Sequence, residues 1–452
     1  MRVQRTATIV VVASSGAYLT WRLLQWRARK RTRKSVERVK SLLREGPLLA
    51  IDDPDVQSRV INTAIKRASK WMQLRESAQQ MTGQVGGISA NKKPLLSLKP
   101  DYVLKPLYTD HRGIRELIFY EAMVAASRTT QHYAAFLRPK TEETSRMAWI
   151  DTLAVALSIL WQDPVVMEQE AKLKEAWRKV KKEADALDKL SKFTASYYGV
   201  IGQKRFDPEF EFGIHEDAHL LLQDITSNFV KPCVIDLKMG SQSYEPDATV
   251  EKRTREYSKY PQQALFGFRI VGMRYHEPSH PDADEFGFVL VGKEYGRTLT
   301  TKDQLLEAFR IFFTAGMRSR PNPHDSSANL LELAESPVED RKIRTKTIAN
   351  LLQLLRGLRR WFDENESTFR FFASSVLLVF EGDLTKTKGS DLGRASLKMI
   401  DFGRVRRADA ATDESKSDEG YRKGLRTLHG LLLDLLDEDK GKSGPTLVSN
   451  GR

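Results

Sequence analysis

From Pro232 to Gly240 (Pro-Cys-Val-Ile-Asp-Leu-Lys-Met-Gly) apolar and polar positions alternate with a period of two, and the run stops at a glycine. This pattern predicts a strand with Val234, Asp236 and Lys238 on one face and Ile235 and Leu237 turned into a core. Around Gln84-Val85-Gly86-Gly87 and again at Tyr102–Leu107 the texture predicts two further strands, and Tyr197–Ile201 and His219–Ile225 predict two more. Gly267–Tyr275 and Phe286–Val291 read as strands, and Phe371–Gly382 with Leu397–Arg404 as the arms of a buried hairpin. Helical spacing marks a lead-in across residues 35–80 (Val60, Ile61, Ala64, Ile65), then Gly113–Glu121, Thr152–Trp161 and Glu168–Leu190. It returns at Val250–Lys259, which stops before Pro261, at Lys302–Ala315, at Ile348–Phe362 and over 420–437. Tyr295–Thr300 reads as a turn and helix cap, Glu277–Glu285 as a surface loop and 438–452 as a disordered tail.

Several of these elements carry residues that core packing does not explain. An Asp and a Lys side by side on a buried strand are costly unless each has a partner or a task, although an arbitrary Asp-x-Lys is usually a solvated surface pair. Lys105 lies in a strand and is followed by a helix with Glu116 and Glu121; either could pair with it, as kinase-type N-lobes pair a strand lysine to hold nucleotide phosphates. No glycine-rich G-x-G-x-x-G loop or Walker loop is present, so cover over the phosphates is expected from Gly86-Gly87. Gln223 and Ile225 sit where an interlobe hinge would offer a backbone carbonyl and amide to adenine. Lys252, Arg255 and Lys259 form a basic stripe on one helix; such a stripe is usually just solvated, but directly after the Asp236–Lys238 strand it suits a polyanionic substrate, with Arg274 as a further cation. Asp401 ends a buried strand before Phe402-Gly403, a setting that suits a Mg²⁺ ligand.

Charge and cysteine content narrow the function classes. The net charge of +14 is concentrated at the N-terminus: residues 1–40 hold eleven Lys and Arg against Glu37, leaving about +4 for the rest, which argues against a nucleic-acid partner. Cys233 is the only cysteine, so neither an intramolecular disulfide nor a Cys/His zinc cluster can form, and a reducing compartment is expected. Ala7–Trp21 is apolar and short for a span, though it extends to Trp26 if Arg22 snorkels. A membrane anchor with a cytosolic enzyme, an organellar presequence and an interfacial helix all fit this segment. The expected location is cytoplasmic or nuclear, or membrane-anchored facing the cytosol.

Taken together, Gln84–Gly87, Lys105-Pro106, Glu116 with Phe119-Tyr120-Glu121, Pro232–Gly240, Ser374–Leu378 and Ile400–Gly403 resemble the inositol polyphosphate kinases. Ser258–Pro261, Gly272-Met273-Arg274 and Tyr295–Leu299 resemble the multikinase branch. The resemblance implies an α+β, bilobal fold of the ATP-grasp and protein-kinase kind: an N-lobe antiparallel sheet and a larger C-lobe with substrate-binding helices. The implied organisation is an N-terminal segment 1–34, a helical lead-in 35–82, an N-lobe 83–226 with an insertion at 139–192, and a C-lobe 227–437. It further implies an ATP-dependent, Mg²⁺-using enzyme, acting as a monomer on an inositol polyphosphate. Lys105 would hold the α- and β-phosphates, steered by Glu116. Gln223 and Ile225 would form the hinge, Asp236 would face the ribose, and Asp401 would bind the metal. Lys238 would bridge the transferring phosphate and substrate, and Lys252, Arg255, Lys259 and Arg274 would hold substrate phosphates. Arg404 and Arg255 stand where the branch has His and Gln, and both add positive charge. A hexakisphosphate kinase, a phosphoinositide lipid kinase and a non-catalytic scaffold remain as rivals to that reading.

Overall fold

The computed structural model describes residues 20, 22–30, 33, 54–81, 83–85, 93–98, 101–136, 164–316, 338–365, 368–384, 389–407 and 418–441. The chain divides into two compact units. One comprises Met1–Ala50 with Ala122–Asp188, and the other comprises Ile51–Glu121 with Lys189–Arg452. The first is helical wherever it is described. All residues discussed as a functional site belong to the second.

The second unit holds two antiparallel sheets. The N-lobe sheet takes β1 (Gln79–Gln80), β2 (Leu96–Leu98), β3 (Tyr102–Pro106), β4 (Tyr197–Ile201) and β5 (His219–Gln223) in the order β1-β2-β3-β5-β4. One face packs Leu98, Leu104, Ile201 and Leu221 against Ala68 at the end of α1 (Pro54–Ala68), with Trp71, Tyr102 and Tyr198 closing the edge. Helix α2 (His111–Phe136) follows β3 and carries Glu116, and α3 (Pro164–Ser191) is the charged helix of the expected insertion.

The C-lobe sheet has the order β11-β10-β6-β7-β8, from β6 (Pro232–Met239), β7 (Phe268–His276), β8 (Phe288–Val291), β10 (Ser375–Glu381) and β11 (Ala395–Ile400). Strand β6 lies at its centre, paired from Pro232 to Lys238 with β10 and from Val234 to Met239 with β7. A small ladder joins β9 (Phe369–Phe371) to β12 (Val405–Arg407). Around the sheet lie α4 (Val250–Ser258), α5 (Gln263–Phe266), α6 (Lys293–Thr298), α7 (Lys302–Phe313), α8 (Val338–Glu364) and α9 (Glu419–Gly441). Thr301 and Gln304 form a capping box that starts α7, and Phe312 then packs edge-on against Phe380 of β10. Asp418 caps α9 by accepting from Tyr421 N, and its other oxygen accepts from Phe371 N, so one buried carboxylate ties a helix start to β9.

Several expectations need correction. The lead-in is not wholly helical, because a 3₁₀ segment and β1 follow α1. Gln84-Val85 lies outside any strand, and the first N-lobe strands are β1 and β2. The long run from Phe371 is two strands, since Ala373 adopts φ 53° and breaks the extended backbone between them. Tyr295–Thr298 is the body of α6 rather than a turn. Helix α9 runs to Gly441, into the expected tail. The predicted helix at Thr152–Trp161 and the Gly86-Gly87 pair fall outside the described residues.

The packing of α9 against the end of α5 depends on two glycines that meet, Gly424 within α9 and Gly267 capping α5. A Cβ on Gly424, inside the helix, would lie 2.2 Å from Gly267 O, and one on Gly267 would lie 2.3 Å from Gly424 N. Helix propensity alone favours Ala over Gly by about 1 kcal/mol. Gly424→Ala is nevertheless expected to destabilise the protein, by roughly 2 kcal/mol or more, because backbone must move to admit the methyl. Urea unfolding measures this, and a stabilised variant would show that the helices are free to part.

Candidate functional site

An open cleft of about 860 Å³ is lined by residues of both sheets and the connections between them, within the range of pockets for small ligands and cofactors. One wall comes from β3, where Lys105 projects, and from α2, which brings Glu116 across to it. Lys105 Nζ lies 2.7 Å from Glu116 Oε1 and 2.5 Å from Asp401 Oδ1. Glu121, the other candidate, is occupied elsewhere by Arg67 and the Tyr197 hydroxyl. Burial alone would depress the Lys105 ammonium, but Asp401 and Glu116 outweigh it and hold its pKa well above the ordinary value. Glu116 is itself buried, and the same Oε1 accepts from Phe402 N at 3.1 Å. The backbone after Asp401 is thus fastened to the glutamate that fixes Lys105.

Central strand β6 forms the floor, and Val234, Asp236 and Lys238 all line the cleft while Ile235 and Leu237 are fully buried. Lys238 Nζ donates to Ala373 O at 3.0 Å. Burial raises the Asp236 carboxyl to about 6, with Lys238 opposing and Asp401 reinforcing the rise. Its Oδ1 is buried and accepts no hydrogen bond among the described residues. Ala373 and Asp401 (φ 66°) are the only non-glycine residues at positive φ among those described, and both line the cleft. Strain of this kind persists where the surroundings over-determine the backbone.

Gln223 and Ile225 also border the cleft. Gln223 N donates to Ser196 O and its side chain accepts from the Ser196 hydroxyl. Beyond them Val85 packs with Val234 and Val379, flanked by Ile225 and Leu377, to give an apolar slot beside the hinge. Three expected substrate cations lie elsewhere. Lys252 and Arg255 do not line the cleft, because only the last turn of α4 reaches it, through Glu256 and Lys259. Arg274 lies over the Phe288 ring, 3.4 Å from its centroid, and is likewise no lining residue. In their place the cleft has Arg269, Lys293, Arg297 and Arg404. Of these, Arg404 carried a signal in the sequence, as added charge after Asp-Phe-Gly, and Arg297 lay within the Tyr295–Leu299 run that carries the family resemblance. Arg269 was obscured by a bulge: β6 and β7 shift register between Asp236 and Leu237, so Arg269 rather than Ile270 stands opposite Lys238.

The sequence model of the inositol polyphosphate kinases aligns over Pro232–Met239 and the Asp401 segment together. Residues 219–433 match the inositol polyphosphate kinase family. The resemblance carried by the motifs therefore holds for this region; Lys105 and Glu116 precede it. Inositol polyphosphate multikinase of Rattus norvegicus is 34% identical over 212 residues, 46% of this chain and 43% of that protein. Inositol hexakisphosphate kinase 3 of Mus musculus is 30% identical over 230 residues, 48% and 50% of the two chains. The match spans about half the length of these curated relatives. Among solved structures, inositol phosphate multikinase of S. cerevisiae in complex with ADP and Mn²⁺ is similar at a TM-score of 0.40 and 21% identity, covering 55% of this chain and 90% of that one.

Asp236 yields a prediction that needs no ligand. Its folded value lies above that of an unfolded Asp, so the folded chain holds the proton more tightly between about pH 4 and 6. Burial of this residue costs little below that window and destabilises progressively as pH rises through it. Asp236→Asn is expected to be more stable than the parent at pH 8, by on the order of 2 kcal/mol, and little different at pH 4. Urea unfolding at the two pH values checks this, and an equal difference at both would contradict it.

Proposed function

We propose that the protein is an ATP-dependent inositol polyphosphate kinase of the multikinase type, moving the γ-phosphate of ATP to a hydroxyl of an inositol tris- or tetrakisphosphate. The observation that carries this reading is Lys105 held at once by Glu116 and Asp401, in a cleft whose floor presents Asp236 and Lys238. Mg²⁺ fits the donor set. Among the described residues no group of three or more candidate ligands occurs, but Mg²⁺ commonly takes one or two carboxylates and completes its shell with phosphate and water. Asp401, partly exposed at the cleft, suits that task. The nucleotide also fits. The apolar slot by Ile225 would take a flat base, with the Gln223 and Ile225 backbone beside it, and the unpartnered Asp236 Oδ1 would accept from a ribose hydroxyl.

Bound Mg-ATP supplies the phosphoryl group and the metal's charge. The protein's contribution is placement and neutralisation. Lys105 would fix the α- and β-phosphates, and Lys238 would sit between the moving phosphoryl group and the acceptor. The acceptor oxygen gains the new bond to phosphorus as the β–γ bridging oxygen leaves with ADP, and the hydroxyl proton is released. Similarity to a hexakisphosphate kinase supports a second reading, in which the acceptor is fully phosphorylated and a pyrophosphate forms. We also propose that the enzyme works as a monomer in the cytoplasm or nucleus, touching membranes through residues 7–26. What supports the contact is that Leu23 and Trp26 are exposed beside Arg27 and Lys30. No helix among the described residues is long and apolar enough to cross a membrane, and most of the apolar stretch lies outside them.

Lys238→Ala and Asp401→Asn are each expected to lower turnover by about three orders of magnitude or more with the fold intact, as loss of a transfer-site charge does in other phosphoryl transferases. The measurement is ADP release with inositol tris-, tetrakis-, pentakis- and hexakisphosphate as acceptors, with circular dichroism for folding. Parent-like activity in either variant would end this assignment of roles, and the preferred acceptor separates the two kinase readings.

A further inference from the structure

Helix α1 belongs to the stretch that the sequence marks as a lead-in, yet it is built into the unit that carries the cleft. Ile61, Ala64 and Ala68 are buried where it packs on β4. The approach is at backbone level: a Cβ on Gly199 of β4 (φ 127°) would lie 2.3 Å from Ala64 O and 2.8 Å from Ala68 Cβ. This contact sets Arg67, in the last turn of α1, beside α2. Its Nε lies 3.1 Å from Glu121 Oε1 and its Nη2 2.7 Å from Oε2. Such a bidentate pair fixes orientation as well as distance. The Tyr197 hydroxyl donates to the same Oε1 at 2.9 Å. Burial and the neighbouring carboxylate hold that phenol well above its ordinary pKa, so it remains a donor. Glu121 is itself buried, and these donors take the place of water around its charge.

The pair bears on Lys105 because α2 presents its two glutamates to different sides. Five residues along a helix turn it through about 140° beyond a full turn. Glu116 therefore reaches Lys105 while Glu121 reaches α1. The residue between them and the sheet follows suit: Tyr120 stacks on Tyr197, with centroids 5.2 Å apart and 24° between planes. Tyr120 also meets the Phe402 ring edge-on at 5.4 Å, next to Asp401. Both Tyr120 and Asp401 line the cleft. Resting on the kinase reading, we propose that Arg67 is a positioning residue for the nucleotide site. Through Glu121 and Tyr197 it fixes the rotation of α2, and with it the reach of Glu116 to Lys105 and to Phe402 N. Neither α1 nor α2 falls within residues 219–433, so the lead-in completes a site of which the family-matched region holds only part.

Calorimetry with Mg-ADP on the full-length chain tests this, together with hydrogen exchange at the Phe402 amide, which Glu116 holds. Arg67→Met is expected to weaken Mg-ADP binding roughly tenfold and to leave the acceptor KM within about twofold. It should also speed exchange at Phe402 roughly tenfold while the amides of β6 keep their protection. Arg67→Lys, which keeps the charge but not the fork, should recover part of the loss. Glu121→Gln should weaken binding as well, and the double variant should lose no more than the worse single, because both act through one contact. Parent-like Mg-ADP binding in Arg67→Met, or additive losses in the double variant, would overturn the role. So would an equal rise in exchange across β6, which would mark a general loosening of the fold. A parent chain that takes up no Mg-ADP would defeat the kinase reading instead. Exchange at Phe402 then judges the positioning alone: a faster rate in Arg67→Met supports it, and an unchanged rate rejects it.

Discussion

An ammonium wedged between two carboxylates governs this molecule's chemistry. Lys105 is largely withdrawn from water, and Glu116 and Asp401, both within 3 Å of it, more than offset the cost to its charge. Those partners come from a helix that follows β3 and from the end of β11, nearly three hundred residues on. To satisfy that lysine the N-lobe sheet must face the C-lobe sheet across a gap, and the gap is the cleft. The same demand fixes the turn after β11, where Phe402 N returns to Glu116 and Asp401 is held at positive φ. Phe402 is then locked among Phe119, Tyr120 and Phe371.

The strand chemistry was legible in the sequence because a period of two assigns faces directly. Val234, Asp236 and Lys238 stand where the alternation from Pro232 puts them, and Lys105 meets Glu116, one of the two partners its helix offered. What alternation cannot reveal is an interruption of itself. The extra residue that β7 inserts near Val271 carries Arg269 to the opposite face from the one its spacing to Arg274 implies. The basic stripe on α4 reaches the cleft only through Lys259, for a different reason. Its three cations do share a side of the helix, but a helix 9 residues long meets the cleft only with its last turn. Spacing reports which residues lie together and not how far along the axis a neighbour reaches.

Charge in the cleft is graded along its length. Asp236, raised chiefly by burial with Asp401 adding to the rise, and Asp401 both line the cleft, whereas Lys238, Arg269, Arg297 and Arg404 crowd the end towards α4 and α6. A ligand that brings a divalent cation to the carboxylates and phosphates to the arginines relieves both ends at once. This complementarity, more than any single contact, is what the arrangement offers a polyanion.

Arg115 precedes Glu116 on α2, and its guanidinium donates to Glu245 Oε1 at 2.7 Å. That buried oxygen also accepts from Arg406 of β12, and Arg404 lies 4.0 Å from the carboxylate's other oxygen. Two consecutive residues of one helix are therefore moored to two separate parts of the C-lobe. Swinging α2 outwards would strip a buried carboxylate of a guanidinium as well as breaking the hold on Lys105, at a cost of several kcal/mol. In kinase-like enzymes that are switched by displacing this helix, an inactive pose must be cheap to reach. Here α2 already holds Glu116 against Lys105, and leaving that pose would break both moorings at once.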